Sequence, residues 1–212
     1  MDSIIMTTPQ VKIKGTFASE DRRFLEEMCK VIATLDGSSK MHIRTSQYPS
    51  RIKCVVQEPP ELAQTDLKQI ELMNNRISEM TMDVKEKTFM VELWKEGAGK
   101  KRRRDEWVEY DGDLPKRYIV DAQKEDKPVL ENILKTLLGM DNYLCEFEVD
   151  IVRREASYDL VIKDIEPVKW SFIRHLHKTY RAFISEIRFD FPNSCMRIIV
   201  RRNDSPVDLK VT

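Results

Sequence analysis

The residues best suited to chemistry in this chain are cations, and the chemistry open to them is electrostatic. Residues 167–184 carry apolar side chains at helical spacing: Trp170, Ile173, Leu176, Tyr180 and Ile184. That spacing predicts one face of an amphipathic helix. Pro167 stands where a first-turn proline is tolerated, because its missing N–H would have no partner there. No acid occurs between Glu166 and Glu186, and Lys169, Arg174, Lys178 and Arg181 hold the polar side with His175 and His177 beside them. A helix of this kind packs its stripe on something apolar and turns cations outward. Cations in a row can neutralise phosphates, release counterions and bind with a strong salt dependence. With no base-reading motif, such contact would be sequence-neutral. The same face is also suited to acids on a neighbouring chain.

Other constellations were weighed against this one. Lys100, Lys101, Arg102, Arg103 and Arg104 follow a glycine turn and fall at a predicted hairpin tip. They read as a phosphate-binding finger, a nuclear localisation run or a contact for an acidic partner. Glu146, Glu148 and Asp150 alternate along one predicted strand. Turned inward, such acids hold a divalent metal in tunnel-type triphosphatases, and Arg197, Arg201 and Arg202 could face them with a polyphosphate between. The second acidic strand such a site requires is missing, since Glu186, Arg188 and Asp190 alternate charge; a solvent-facing strand is the plainer reading. Of the three histidines, His42 stands alone, and His175 and His177 do not share a helix face. Metal ligation is therefore not expected. No Ser/His/Asp or Cys/His order and no phosphate-cradling glycine loop is present. The expectation is a protein with no catalytic residue, no metal and no cofactor. Trp94, Trp107 and Trp170 read as core or interface anchors.

The elements that must position these residues follow from periodicity. Residues 11–17 alternate as a strand, and Ser19 before Glu20 and Asp21 opens a helix with stripe Phe24, Met28, Val31 and Leu35, closed by Gly37. Strands at 40–46 and 51–57 follow around Tyr48-Pro49-Ser50. Beyond Pro59-Pro60, a second helix is predicted over 61–80, then a strand over 84–96, a return strand over 106–110 and an edge strand at 116–121. The third helix opens at Asp126-Lys127-Pro128, with Leu130, Ile133, Leu134 and Leu137 in its stripe. Strands at 144–153 and 158–164 precede the basic helix, and strands at 186–191 and 196–202 follow it.

Composition bounds the partners. The 212 residues are 41% hydrophobic and 34% charged, and 36 bases balance 36 acids. No global field drives the chain onto nucleic acid or an anionic membrane, so any such binding needs a local patch. The four cysteines, Cys29, Cys54, Cys145 and Cys195, lack paired spacing and read as buried free thiols of a reducing compartment. The N-terminus has no basic start or long apolar run, and nothing reaches the roughly 18 apolar residues of a membrane span. The expected location is intracellular, in nucleus or cytoplasm, or in a virion.

Written as units, helix-strand-strand occurs four times, opening near residues 20, 61, 127 and 168. The intervals from first to second and from third to fourth are equal, which predicts a duplicated α+β chain: two halves, 1–112 and 126–212, joined by a linker over 113–125. No letter-by-letter repeat is read, so the duplication rests on pattern. Helices interleaved with antiparallel pairs should lie together on one face of a continuous sheet.

That layout, together with Leu160-Val161-Ile162-Lys163-Asp164-Ile165-Glu166-Pro167-Val168-Lys169-Trp170-Ser171-Phe172 and the strands that follow, resembles the sliding-clamp family of processivity factors, the proliferating cell nuclear antigen type. The resemblance implies four helices per subunit lining a ring around DNA, strands outside, and an oligomer. It covers about 45 residues. The chain is shorter than a cellular clamp subunit and lacks the family's acidic bias, and the run 100–104 has no counterpart in it. The function expected is thus a non-enzymatic, DNA-associated, clamp-like processivity or scaffold factor. Its partners would be DNA and other proteins in a larger assembly, with no membrane. The alternatives are a structural protein such as a minor virion component, and a metal-dependent triphosphatase.

Overall fold

A computed structural model of the protein describes residues 18–36, 42–95, 122–139 and 147–202. The class is α+β with antiparallel strands. The elements in the first half are α1 (Ser19–Asp36), β1 (His42–Gln47), β2 (Arg51–Gln57), β3 (Leu62–Ala63), α2 (Gln64–Met73), β4 (Ile77–Asp83) and β5 (Thr88–Trp94). The second half repeats them as α3 (Lys127–Leu138), β6 (Glu148–Arg153), β7 (Ser157–Lys163), β8 (Val168–Lys169), α4 (Trp170–Thr179), β9 (Ile184–Asp190) and β10 (Cys195–Arg201). From β1 to α2 the equivalent elements lie 106 residues apart. One extra residue after α4 makes the offset 107 for the last two strands.

The duplication extends to backbone detail. The four non-glycine residues with positive φ form two equivalent pairs, Glu58 with Asp164 and Lys87 with Ser194. Both β4 and β9 carry a bulge at a serine, in register with the opposite strand at Ile77/Leu93 and Ile184/Val200. A bulge leaves one residue outside the ladder. Here Ser78 Oγ donates to the Glu92 carbonyl and Ser185 Oγ to the Ile199 carbonyl, each at 3.1 Å. Around these serines lies a repeat of letters that the pattern reading missed: Ile77-Ser78-Glu79 with Asp83, and Ile184-Ser185-Glu186 with Asp190. Each aspartate also accepts the backbone N–H three residues on, at Glu86 and Asn193, closing the hairpin turn the same way.

Where a single continuous sheet was expected, the strands divide into two five-stranded sheets, ordered β1-β2-β5-β4-β8 and β6-β7-β10-β9-β3. Each half contributes its two-residue strand to the other half's sheet. Leu62 and Ala63 pair with Phe189 and Arg188, while Val168 and Lys169 pair with Met82 and Thr81. The strands are this short because a helix begins at the next residue in both cases.

One face of each sheet is apolar. Ile52, Cys54 and Val56 alternate inward on β2, as do Leu160 and Ile162 with Tyr158 on β7. These residues join the buried side chains of all four helices in one cluster that runs across both halves. α4 lies against β4, and α2 lies against β9. The helices stand in the lateral order α1, α2, α4, α3. α1 meets α2 directly, Arg174 of α4 reaches Glu71 of α2, and Tyr180 after α4 bonds Thr136 and Asn132 of α3.

Four boundaries depart from expectation. The helix predicted over 61–80 stops at Met73, because Asn74-Asn75 turns the chain and residues 77–83 then alternate as β4. The strand predicted over 84–96 is shortened to β5 behind the turn 84–87. The basic helix ends at Thr179, so Arg181 sits in the following turn and Ile184 opens β9 rather than extending the stripe. Ser19 is the first helical residue and Ala18 the cap, whose carbonyl accepts from Arg22 at 3.0 Å. The predicted strands at 11–17, 106–110 and 116–121, Gly37 and most of the linker lie outside the described residues.

Because β3 and β8 are exchanged, neither half completes its own sheet. Fragments 1–112 and 113–212 should therefore fold only together. Co-expression is expected to yield a co-purifying pair with native-like circular dichroism, and each fragment alone an unfolded or aggregated chain.

Candidate nucleic-acid interface

The centre of the helical surface is the seam between α2 and α4. One contact and one electrostatic pairing across it fix its geometry. Arg174 Nη1 donates to Glu71 Oε1 at 2.7 Å, and Lys68 lies close enough to His177 to act on its charge. Position 68 is equivalent to 174 and position 71 to 177, so the two contacts are mates under the internal repeat and the helices run antiparallel. Trp170, Phe172, Ile173 and Leu176 of α4 are buried, as are Leu67 and Ile70 of α2. What remains outward on the seam is polar, apart from Leu72, 76% exposed.

The four cations predicted on this helix are dispersed into different settings. Lys169 is exposed but belongs to β8 and to the cap of α4, paired in the ladder with Thr81. Arg174 is exposed and held by Glu71. An i, i+4 pair of like charges such as Arg174 and Lys178 costs a few tenths of a kcal/mol on a helix, and Glu71 offsets it. Lys178 is exposed in the last turn, where a cation complements the helix dipole. Arg181 is exposed in the turn beyond. Neither Lys178 nor Arg181 is ion-paired among the described residues. Lys100, Lys101, Arg102, Arg103 and Arg104 lie outside the described residues.

Two residues that the periodicity did not single out complete the strip. Lys68 is exposed on α2 and faces His177. His177 is half-buried, and its pKa is pushed below the ordinary histidine range, first by burial and then by the neighbouring Lys68 and Arg181. Nothing in a single sequence aligns α2 with α4, so Lys68 could be found only once the seam was in view. The N-terminus of α4 is not part of an anion site. Glu79 already sits there, accepting from Ser171 Oγ at 2.9 Å.

Charge is divided unevenly over the helices. α1 and α2 carry four bases against seven acids, and α3 and α4 carry four bases against one. Arg22 and Arg23 are each paired with an acid one turn on, and Arg76 is held by the buried Asp21. Among the described helices, the excess of bases is therefore on the α3–α4 side.

Among the described residues, the alternating acids are not gathered into a metal site. Glu148 and Asp150 are exposed on the strand β6, Asp150 bonds Lys163 at 2.8 Å, and Glu146 lies outside the described residues. Arg197 is turned to Asp190 at 3.0 Å. Arg202 donates to the Glu155 carbonyl at 2.6 Å and to Gln123 at 2.9 Å, so it fastens a turn. Among the described residues, no group of three His, Cys, Asp or Glu could hold a metal ion. Cys29, Cys54 and Cys195 are buried free thiols. Burial pushes the Cys54 thiol up to about 12 and the Cys29 thiol up as well, which leaves both inert at neutral pH. No helix among the described residues is long and apolar enough to cross a membrane.

Because Glu71–Arg174 is an exposed pair, Glu71→Gln should change stability by no more than about 1 kcal/mol, measured by the denaturant midpoint. A larger loss would mean that this contact, rather than apolar packing, holds α2 against α4. Compared with protein-family models, curated proteins and solved structures, the chain matches none.

Proposed function

We propose that this chain is a non-enzymatic, DNA-associated protein, a clamp-like processivity or scaffold factor that touches the duplex backbone sequence-neutrally at the α2–α4 seam. The observation that carries the reading is the strip of Lys68, Lys178 and Arg181. These cations come from two helices and a turn, all are exposed, and Lys178 and Arg181 lack a carboxylate partner among the described residues. Four helices standing side by side over antiparallel sheets support the clamp-like form of the reading, as does the resemblance across residues 160–172, which span β7, β8 and the start of α4. The phosphates would lie toward α4, since the helices α1 and α2 carry an excess of acid. A ring would require several copies, and a mass measurement in solution tests that requirement.

Each phosphate neutralised contributes a slope of about −0.9 to the log–log salt dependence. A three-cation strip therefore predicts a slope of about −2 to −3, independent of sequence. Lys178→Glu with Arg181→Glu should flatten that slope by about 2 and weaken binding at low salt. Glu71→Gln, which frees Arg174, should strengthen binding. Duplex binding with no salt dependence, or untouched by the double reversal, would count against the seam.

A second reading has its own support. The acidic helix pair α1–α2 and the basic helix pair α3–α4 are complementary, which suits a structural or assembly protein docking on neighbouring subunits. If the double reversal leaves DNA binding unchanged and abolishes co-assembly, this second reading replaces the first.

A further inference from the structure

We infer that the seam takes up a proton as it binds phosphodiester backbone, and that His177 is the group that takes it. This rests on the DNA-associated reading and names the regulation of the same strip. His177 is half-buried on α4 one turn on from Arg174, whose contact with Glu71 at 2.7 Å sets it on the side of Lys68 of α2, and the exposed Arg181 lies in the turn that follows. The acids of α2 and β4 are engaged elsewhere, Asp66 with the Ala63 N–H and Asp83 with the Glu86 N–H among them, while α3 carries the exposed Glu131. Glu71 of α2 holds Arg174, and Glu79 of β4 holds Ser171. On its own helix the charged neighbours are Arg174 and Lys178, with His175 one position beyond the seam, and β8 contributes Lys169. α3 reaches this region through Tyr180, whose phenol is bonded to Thr136 and Asn132. No carboxylate is bonded to His177 among the described residues, so the free protein favours its uncharged form.

A phosphodiester laid along Lys68, Lys178 and Arg181 reverses that balance. An anion within about 4–6 Å favours the charged imidazole, and it also neutralises the two cations that oppose protonation. His177 then has a higher pKa in the complex than in the free protein. Below the free pKa both states carry the proton, and above the bound pKa neither does. Between the two, binding absorbs up to one proton and affinity rises as pH falls, about tenfold in all for each unit by which the pKa rises. Between the two pKa values the imidazolium is a fourth cation that forms as the ligand binds.

The test is duplex binding by fluorescence anisotropy at constant ionic strength, between about pH 5 and pH 8, with the proton count read by calorimetry in two buffers of different ionisation enthalpy. The expected result is affinity rising toward acid pH with net proton uptake, a slope lost in His177→Gln and kept in His175→Gln. In parallel, the His177 imidazole followed by NMR in the intact wild-type chain should titrate at higher pH with duplex present than without. Salt-dependent binding that shows no proton uptake, or a His177→Gln variant with the full pH slope, overturns the inference and leaves the DNA reading standing. Absence of duplex binding at low salt and at every pH overturns both.

Discussion

Two dipeptides hold this architecture together. Leu62-Ala63 and Val168-Lys169 are each a strand of two residues, and each lies in the sheet that the other half of the chain builds. A two-residue ladder offers few hydrogen bonds, so its hold comes from Leu62 and Val168, both essentially without solvent exposure and both inside the shared core. The exchange is prepared one turn earlier. Glu58 and Asp164 follow β2 and β7 in the left-handed region, with φ of 50° and 55°. A left-handed residue there turns the chain out of its own sheet at a cost of about 1–3 kcal/mol. Because α2 and α4 start where the exchanged strands stop, they are delivered to a common line and run antiparallel along it. Everything on the seam follows from that delivery.

The frame is symmetric and its load is not. Equivalent positions along the seam are occupied by Lys68 and Arg174, Glu71 and His177, Leu72 and Lys178, Asn75 and Arg181. One cation is common to both halves, and the others belong to the second alone. The core keeps its apolar alternation in both copies, because a slip of one residue would turn every strand side chain to the wrong face. Surface positions are free of that constraint. A polyanion meeting this surface would thus be held off the internal axis, on the α4 side, with the acids of α1 limiting how far it spreads.

Much of this fold was legible because it is written in periodicity. The alternation of Ile52, Cys54 and Val56 and the spacing of Leu130, Ile133, Leu134 and Leu137 each name one buried face. The equal intervals between helices expose the duplication. Where two periods compete the reading fails: Ile77 and Met80 fit a helical stripe as well as a strand, and only the turn at Asn74-Asn75 separates them. Dipeptide strands leave no periodic signal at all, and so the division into two sheets was invisible. The serine bulges were readable in principle, as Ile-Ser-Glu occurs at both sites, but a bulge has meaning only once a partner strand is known. Of the site, Lys178 and Arg181 were found from the absence of acids around them. Lys68 was not, since its relation to His177 spans 109 residues and depends on the exchange of β3 and β8.

The weight given to each cation depends on what already neutralises it. Arg174 has Glu71, and Lys169 belongs to the β4–β8 ladder. Lys178 has the partial charge of the helix end, which fades within a turn. Among the described residues Arg181 and Lys68 have neither, and beside them stands a histidine whose pKa is lowered first by its burial and then by these two cations. A basic surface that existed only to keep a helix soluble could alternate its charges, as Arg22, Arg23, Glu26 and Glu27 do on α1, where each cation finds an acid one turn away. On the seam Lys178 and Arg181 find no such acid among the described residues, Glu71 being taken by Arg174. That difference between two exposed helix faces of one chain is the physical reason to look for the compensating charge outside it.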